Sequence, residues 1–287
     1  MPCRLSKGEK IGIAALLSAV LCFFIAPTLA LLPLSGFLLL CFLAPFFPEI
    51  SFFLPVISRS QPGTEGVILT FDDGPSPEFT PVLLDLLARY GLPATFFVIG
   101  KKAADHPELI ARILAAGHSI GNHSWDHDYF LMLRSTERIQ EDLHRTQEVL
   151  AEAGVRPLLF RPPVGITGPR LKKVLEREGM LAVNYSCRAL DRGNRHLAGL
   201  ANKIMRRVRP GDIIMLHDLP AFQEEDSDLL YREFDQLFQQ LTEKYTVIPM
   251  EDALQRPVMH SEKEAGPSGQ PGIPRRIQSI CSRPGRD

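Results

Sequence analysis

Seven residues in the middle of this chain have types and spacings that could do chemistry together. Asp72 and Asp73 are adjacent and close the apolar run 67–71. His123 and His127 follow the run 118–121 as H-x-x-x-H, Arg161 follows 158–160, Asp191 lies a few residues past 181–185, and His217 ends 212–216. Two neighbouring carboxylates repel one another and are costly to desolvate, and a nearby cation would relieve both costs. Asp-Asp-Gly-Pro is also good turn chemistry, so the pair alone leaves both readings open. On a helix, H-x-x-x-H would place two imidazoles on one face, ready for a metal, although scattered histidines are often merely accommodated. With a carboxylate from the first run, the two histidines complete a His₂-Asp set. Three protein ligands with an open position for water is the arrangement of catalytic zinc, and it suits other first-row divalent ions as well. The remaining histidines read differently: His106, His144, His196 and His260 as surface residues, and His118 as the opening of a strand.

Residues this far apart need a scaffold that brings run ends together. Apolar β-type runs recur at 67–71, 95–99, 118–121, 158–160, 181–185, 212–216 and 246–248. Helical periodicity fills 81–90, 107–116, 135–153, 169–178, 197–208 and 227–244. Pro81 and Pro107 suit first turns, and Gly91, Gly117, Gly154 and Gly179 stand just past last turns. Seven strands alternating with six helices predict an α/β domain with a mostly parallel sheet. Periodicity does not choose between a doubly wound sheet and a barrel, but no G-x-G-x-x-G follows the first strand, which weighs against a dinucleotide fold. In a parallel barrel the carboxyl ends of the strands converge on one face, where the carboxylates, histidines and arginine would meet.

The flanks are of different material. Between Ile11 and Ile57 the only charge is Glu49, a stretch about twice the ~20 residues that one bilayer-spanning helix needs. Pro33, Ser35 and Gly36 divide it, which predicts two helices over 11–32 and 34–54 forming a hairpin, rather than a cleaved leader with its shorter apolar core. Arg4, Lys7 and Lys10 favour a cytoplasmic N-terminus. Two spans would leave the following domain cytoplasmic, and one span plus an interfacial segment would put it outside. Residues 258–287 are rich in Pro, Gly, Ser and Arg and predict a disordered tail. The expected division is a membrane anchor over 1–60, a catalytic domain over 61–257 and the tail. With 32 basic and 33 acidic residues, nothing points to a nucleic-acid partner. Of five cysteines, Cys3, Cys22 and Cys41 lie in or beside the apolar segment. Cys187 and Cys281 are far apart and lack C-x-x-C spacing, so neither a disulfide framework nor a cysteine zinc site is expected.

Five segments, in order, resemble the motifs of the polysaccharide deacetylase family, the NodB-homology domain: Thr70-Phe71-Asp72-Asp73-Gly74-Pro75, His123-Ser124-Trp125-Asp126-His127, Arg161-Pro162-Pro163-Val164-Gly165, the stretch 186–192 containing Asp191, and Leu216-His217-Asp218. The resemblance spans 67–218 and implies a distorted (β/α)7 barrel that hydrolyses the N-acyl group of an aminosugar. It further implies Asp72 as general base, with Arg161 holding it. Asp73, His123 and His127 would be ligands of one divalent metal, Zn2+ foremost with Co2+ or Ni2+ as alternatives. The backbone N–H of Val164, which follows Pro163, would help stabilise the oxyanion, and His217 would be the general acid, oriented by Asp191.

Three departures stand out. Val164 replaces the aromatic usual in the third motif, and Arg188 and Arg192 occupy the fourth, where an Asp and a Trp are usual. The added charge could favour an anionic substrate, such as a phosphate-linked sugar, unless both arginines pair with local acids. Three readings follow. The first is an N-deacetylase of an aminosugar polymer at the bacterial plasma membrane. The second is the same chemistry on a lipid-linked or phosphorylated sugar at the bilayer. The third is a non-catalytic carbohydrate-binding protein with a degenerate site, against which the intact motif residues argue.

Overall fold

The computed structural model describes residues 5–47 and 49–261. At the N-terminus, α1 (Lys7–Ile25) starts from a reciprocal cap in which Ser6 Oγ accepts from the Glu9 N–H at 3.1 Å and Glu9 Oε2 accepts from the Ser6 N–H at 2.6 Å. The helix ends because Ala26, which precedes Pro27, is extended (φ −157°, ψ 127°). A short 3₁₀ turn, Pro27–Ala30, leads into α2 (Leu31–Leu43). The break therefore falls at Ala26–Pro27 and not at 33–36. Pro33 sits in the first turn of α2, where its missing N–H is no loss. Ser35 donates to the Leu31 carbonyl at 2.7 Å, so it decorates the helix and does not interrupt it. The two helices pack as a hairpin, with Gly12 against the Phe37 ring, and the Gly8 N–H donates to Phe52 O at 2.9 Å, tying its two ends. The apolar stretches Lys7–Ile25 and Pro27–Phe46, of 19 and 20 residues, are long enough to cross a bilayer and are scarcely buried by protein.

The catalytic body follows as β1 (Val56–Ile57), β2 (Gly66–Gly74), α3 (Thr80–Tyr90), β3 (Thr95–Val98), α4 (Gly100–Asp105), α5 (Pro107–Ala115), β4 (Ser119–Asn122), α6 (Thr136–Glu152), β5 (Val155–Pro157), β6 (Leu159–Phe160), α7 (Leu171–Glu178), β7 (Leu181–Val183), β8 (Cys187–Arg188), α8 (Leu200–Met205), β9 (Ile213–His217), α9 (Ser227–Lys244), β10 (Thr246–Val247), α10 (Met250–Leu254) and β11 (Met259–Ser261). The strand order is β1-β7-β6-β4-β3-β2-β9-β8, with β10 beside β2, and every pairing in this sheet is parallel. β7 and β8 belong to one stretch of chain whose first half pairs with β6 and whose second half pairs with β9. That switch curls the sheet round. The Asn184 N–H donates to Ile57 O at 2.8 Å, the Ser186 N–H to Ile213 O at 3.1 Å, and Arg59 pairs with Asp212 at 2.7 Å, closing a distorted barrel.

Each of the seven expected strands is present. β1 and β11 lie outside the expected 61–257 span: β1 joins the sheet ahead of Gln61, and β11 pairs antiparallel with β5, so Met259–Ser261 is ordered strand. The remainder of the expected tail, 262–287, lies outside the described residues.

Strand alternation decides which side chains reach the barrel interior. Along β2, Val67, Leu69 and Phe71 point outward into the layer beneath α3 and α9, where Phe71 meets Phe96, Phe234 and Phe238. Ile68 points inward, to a second cluster with Phe97, Val183, Tyr185 and Met215. Thr70 and Asp72 share its parity, and on β9 His217 shares the parity of Ile213 and Met215. Hydrophobic period thus turns Thr70, Asp72 and His217 inward, the last two at the barrel mouth. Cys22, Cys41 and Cys187 are free thiols; Cys3 and Cys281 lie outside the described residues.

Candidate active site

At the end of β2 the chain turns sharply. Asp72 is buried, with 5% of its surface exposed, while Asp73 adopts φ 68°. Gly74 then approaches Asp218 so closely that a Cβ would collide with that carboxylate. The reversal at Asp73 sends two adjacent carboxylates in different directions.

Asp72 Oδ1 accepts from Arg161 Nη1 at 2.6 Å. The Arg161 guanidinium is fully buried, lies 4.0 Å over the Phe97 ring, and also donates to Thr70 Oγ1 (2.8 Å), Asn184 O (3.0 Å) and Val183 O (3.3 Å). These donations pin Asp72 in one rotamer and leave Oδ2 facing the imidazoles, 4.0 Å from His123 Nε2.

Asp73 Oδ1 lies 3.3 Å from His123 Nε2 and 3.2 Å from His127 Nε2, and the three ligand atoms fall within 4.8 Å of one another. That oxygen is buried and makes no well-formed hydrogen bond. His123 Nδ1 donates to Arg161 O at 2.7 Å, which fixes the tautomer and turns the Nε2 lone pair toward Asp73. An orphaned buried carboxylate oxygen facing two imidazole nitrogens is a donor set that fits a divalent cation. The charge states agree. Burial opposes the ionised Asp73 carboxylate, yet the two histidines hold its pKa well below the usual range. Burial also opposes charge on His123, but Asp72 and Asp73 raise its pKa; a bound cation would neutralise those acids. Burial lowers His127.

The two histidines are not on a helix. His123 follows the last residue of β4, and a tight loop returns His127, with φ 69° at Ser124 and 57° at His127. Asn122 Oδ1 accepts from the Ser124 N–H (2.9 Å), Ser124 Oγ from the His127 N–H (3.1 Å), and Asp142 Oδ1 from the Trp125 N–H (2.9 Å). The loop does by side-chain hydrogen bonds what helical spacing would have done by pitch.

His217 Nδ1 donates to Asp191 Oδ2 at 2.7 Å. Burial works against the imidazolium, but the Asp191 bond and charge, with Asp73 and Asp72 behind it, push the His217 pKa up to about 9. Asp191 itself is lowered: burial opposes this, and the His217 bond outweighs it. Val164 adopts φ 51° in the turn Pro163–Gly165, is 45% exposed, and stands at the second position of that turn, where an N–H has no intrahelical acceptor. Pro163 is buried beneath it, and Asn184 Nδ2 ties the turn to the barrel through Gly165 O (3.1 Å).

Arg188 points into the barrel and donates to the Tyr185 hydroxyl at 3.0 Å, not to an acid; Arg192 is exposed. His118 is buried against Phe96 and outside the cluster.

Five residues were not singled out by sequence. Thr70 supports Arg161. Tyr185 lies between Arg161 and Arg188, with its ring centroid 5.8 and 5.4 Å from their guanidinium carbons. Asn194 donates to Leu219 O at 2.6 Å, beside Asp191. Lys102 donates to Asp73 O at 2.7 Å. Asp218 accepts from Thr80 Oγ1 at 2.7 Å, donates its N–H to Asp72 O at 2.8 Å, and has its carboxyl pushed up to about 7 by burial. Thr70 and Asp218 carry a local signal, standing in the same motifs as Asp72 and His217; the other three do not.

This geometry has counterparts. Residues 59–183 match the sequence profile of the family described as polysaccharide deacetylase. A chitooligosaccharide deacetylase of Sinorhizobium fredii is 37% identical over 185 residues, covering 63% of this chain and 85% of that protein. The chain belongs to the polysaccharide deacetylase family. A peptidoglycan-N-acetylglucosamine deacetylase of Bacillus cereus is 36% identical over 165 residues, covering 56% of this chain and 77% of its own. Among solved structures, that of a peptidoglycan N-acetylglucosamine deacetylase superposes with a TM-score of 0.63 at 29% identity, covering 71% of this chain and 94% of its own. The distorted barrel is the fold of this deacetylase and of that relative alike. Membership makes the chain a hydrolase of a metal-dependent class, and Asp73, His123 and His127 form a site that could hold the metal.

Proposed function

We propose that this deacetylase removes N-acetyl groups from aminosugars, in a polymer of the chitooligosaccharide or peptidoglycan kind, using one zinc ion and the residues named above. The observation that carries the reading is the Asp73–His123–His127 cluster, set beside an Asp72 held by Arg161 and across from a His217–Asp191 pair. Two imidazole nitrogens and one carboxylate oxygen suit zinc, with cobalt or nickel as substitutes. When bound, such a cation lowers the pKa of water and polarises a carbonyl.

The protein's own groups do the rest. With Oδ1 committed to Arg161, Asp72 takes the proton of the attacking water on Oδ2. The Val164 N–H donates to the oxyanion of the tetrahedral intermediate. The amine cannot leave as an anion, so His217 gives it the proton held on Nε2, while Asp191 keeps Nδ1–H in place. The products are a free amine and acetate.

The hairpin supports an anchor in a bacterial inner membrane. Both its ends lie together, so a hairpin that crosses the bilayer sets the barrel on the face from which the chain enters. The test is amine release from chitotetraose by the full chain in detergent, stripped of metal and then given zinc or cobalt. Restored release supports the reading; stoichiometric metal without release on any N-acetylated sugar overturns it.

A second reading, deacylation of a lipid-linked or phosphorylated sugar, is favoured by one observation. Arg188 enters the barrel and is bonded to a neutral phenol, so among the described residues no paired acid cancels its charge.

A further inference from the structure

After His127 the chain forms a short loop with an unusual division of its apolar residues. Leu131 and Met132 are buried, at 2% and 6% exposure. Tyr129, Phe130 and Leu133 are exposed, at 63%, 62% and 75%. The loop is built to hold that display. Asp128 Oδ1 accepts from the Phe130 N–H at 2.8 Å, Asp128 Oδ2 pairs with Arg134 Nε at 2.9 Å, and Arg170 donates to Arg134 O at 3.3 Å. The only two charges of 128–134 are thus paired with each other at its base, and the tip 129–133 carries none. Two aromatic rings and a leucine on a fixed, charge-free tip form an exposed apolar patch of the kind that marks a contact surface.

What covers the patch is indicated by its neighbours. Leu131 and Met132 share one buried cluster with Leu54, and Phe53 packs against it. Leu54 stands two residues from Phe52, whose carbonyl accepts from Gly8 at the foot of the hairpin; two residues span roughly 7 Å at most. The foot itself exposes Phe46, Phe47 and Ile50. Where the hairpin leaves a bilayer, the loop is therefore already alongside, with its apolar tip uncovered. The same loop carries the mouth of the active site, since Tyr129 lies edge-on to His127 with ring centroids 5.0 Å apart.

We propose that the 128–134 loop is a second membrane contact. It rests in the interface of the bilayer that the hairpin crosses and holds the active-site mouth at the lipid surface, so that the sugar it receives is one carried on a membrane lipid. The inference rests on the membrane and deacetylase readings above and deepens the second of them. Apolar and aromatic side chains seated at the boundary of headgroups and acyl chains are how interfacial elements bind.

The test uses the full chain in vesicles of phosphatidylethanolamine and phosphatidylglycerol, with or without brominated phosphatidylcholine. Phe130→Trp and Leu133→Trp each add one indole to the native Trp125. The added emission is expected to shift to the blue and to fall about twofold or more with brominated lipid, as for a ring at acyl-chain depth. Phe130→Ser with Leu133→Ser is expected to slow deacetylation of polyprenyl-diphosphate-linked N-acetylglucosamine in vesicles about tenfold, as two apolar side chains leave the lipid. Release from chitotetraose by the same variant should stay within about twofold of the parent, because neither side chain leaves a shared contact.

A chain that resists carbonate extraction while its added indole ignores brominated lipid overturns the inference alone. Equal loss on both substrates also overturns it, and makes the loop a sugar subsite. Release of the parent chain by carbonate overturns the membrane reading and the inference with it. Wild-type turnover of chitotetraose reports on the deacetylase reading separately.

Discussion

Asp191→Asn should shift the pH dependence of this enzyme without emptying its metal site. Asp191 lies 2.7 Å from His217 Nδ1 and holds the proton-donating ring. His217 is pushed up from its ordinary 6.5 to about 9; at about 1.4 kcal/mol per tenfold change in proton affinity, that is about 3 kcal/mol of preference for imidazolium. Not all of it belongs to Asp191. Asp73 and Asp72 add their fields, and a cation on Asp73 cancels part of that contribution, leaving Asp191 about 2 kcal/mol. An asparagine oxygen still accepts the Nδ1–H bond but brings no charge. The alkaline limb of kcat/KM, which reports loss of the acid form, should then fall by about one to two pH units, with an optimum rate reduced by about 10²-fold. The assay is amine release from chitotetraose by the zinc-loaded protein between pH 5 and pH 10. Stability carries the same sign. A raised folded-state pKa stabilises fully below 6.5 and is lost as pH climbs through about 9. Wild type should therefore lose more thermal stability than Asp191→Asn between pH 6 and pH 9.5. A variant whose alkaline limb stays where the parent's is refutes the pairing of acid and orienter.

Asp72→Asn should abolish turnover and leave metal stoichiometry near one, since Asp72 is not among the three ligand residues; turnover near the parent's rejects the base assignment. His123→Ala should lose both metal and activity, and elemental analysis showing full occupancy would contradict the ligand set. Arg161→Met leaves the Asp72 carboxylate buried and unpaired, at a cost of about 3–5 kcal/mol, or roughly 10 °C in the melting temperature of a domain this size. The Asp72→Asn/Arg161→Met double variant should recover part of that loss, because the stranded charge is gone; strict additivity would argue against the ion pair as the cause.

The barrel was legible because its strands are simple. The apolar runs placed Asp72, Arg161 and His217 at the carboxyl ends of strands, where a parallel barrel gathers them, and Gly91 and Gly179, both left-handed, end their helices as expected. Features that depend on partners distant in sequence were not legible. H-x-x-x-H suggests a helix, yet Asn122, Ser124 and Asp142 stabilise a left-handed loop instead, and Asp142 lies 17 residues from the backbone N–H it accepts. Pro33 looked like a break, but helix-starting positions tolerate proline, and the residue before Pro27 made the turn. Tyr185 is a strand residue like any other until the sheet switches between β7 and β8 and sets it between two guanidinium groups.

Arg161 shows why a motif residue can be named from sequence while its task is read only from structure. Its guanidinium holds Asp72, and its own carbonyl accepts from His123 Nδ1. One residue therefore fixes the rotamer of the proton acceptor and the tautomer of a metal ligand. The two halves of the site are registered to each other through a single backbone unit at the end of β6. The cost of burying that charge is met by four acceptors and the face of Phe97, supplied by β2, β3 and the end of β7, which the barrel must first bring around it. Catalytic geometry at this site is thus a consequence of closure: only when the curled sheet brings the end of β2 within reach of the ends of β6 and β7 is the guanidinium satisfied, and only then are base and metal ligands aimed at the same point.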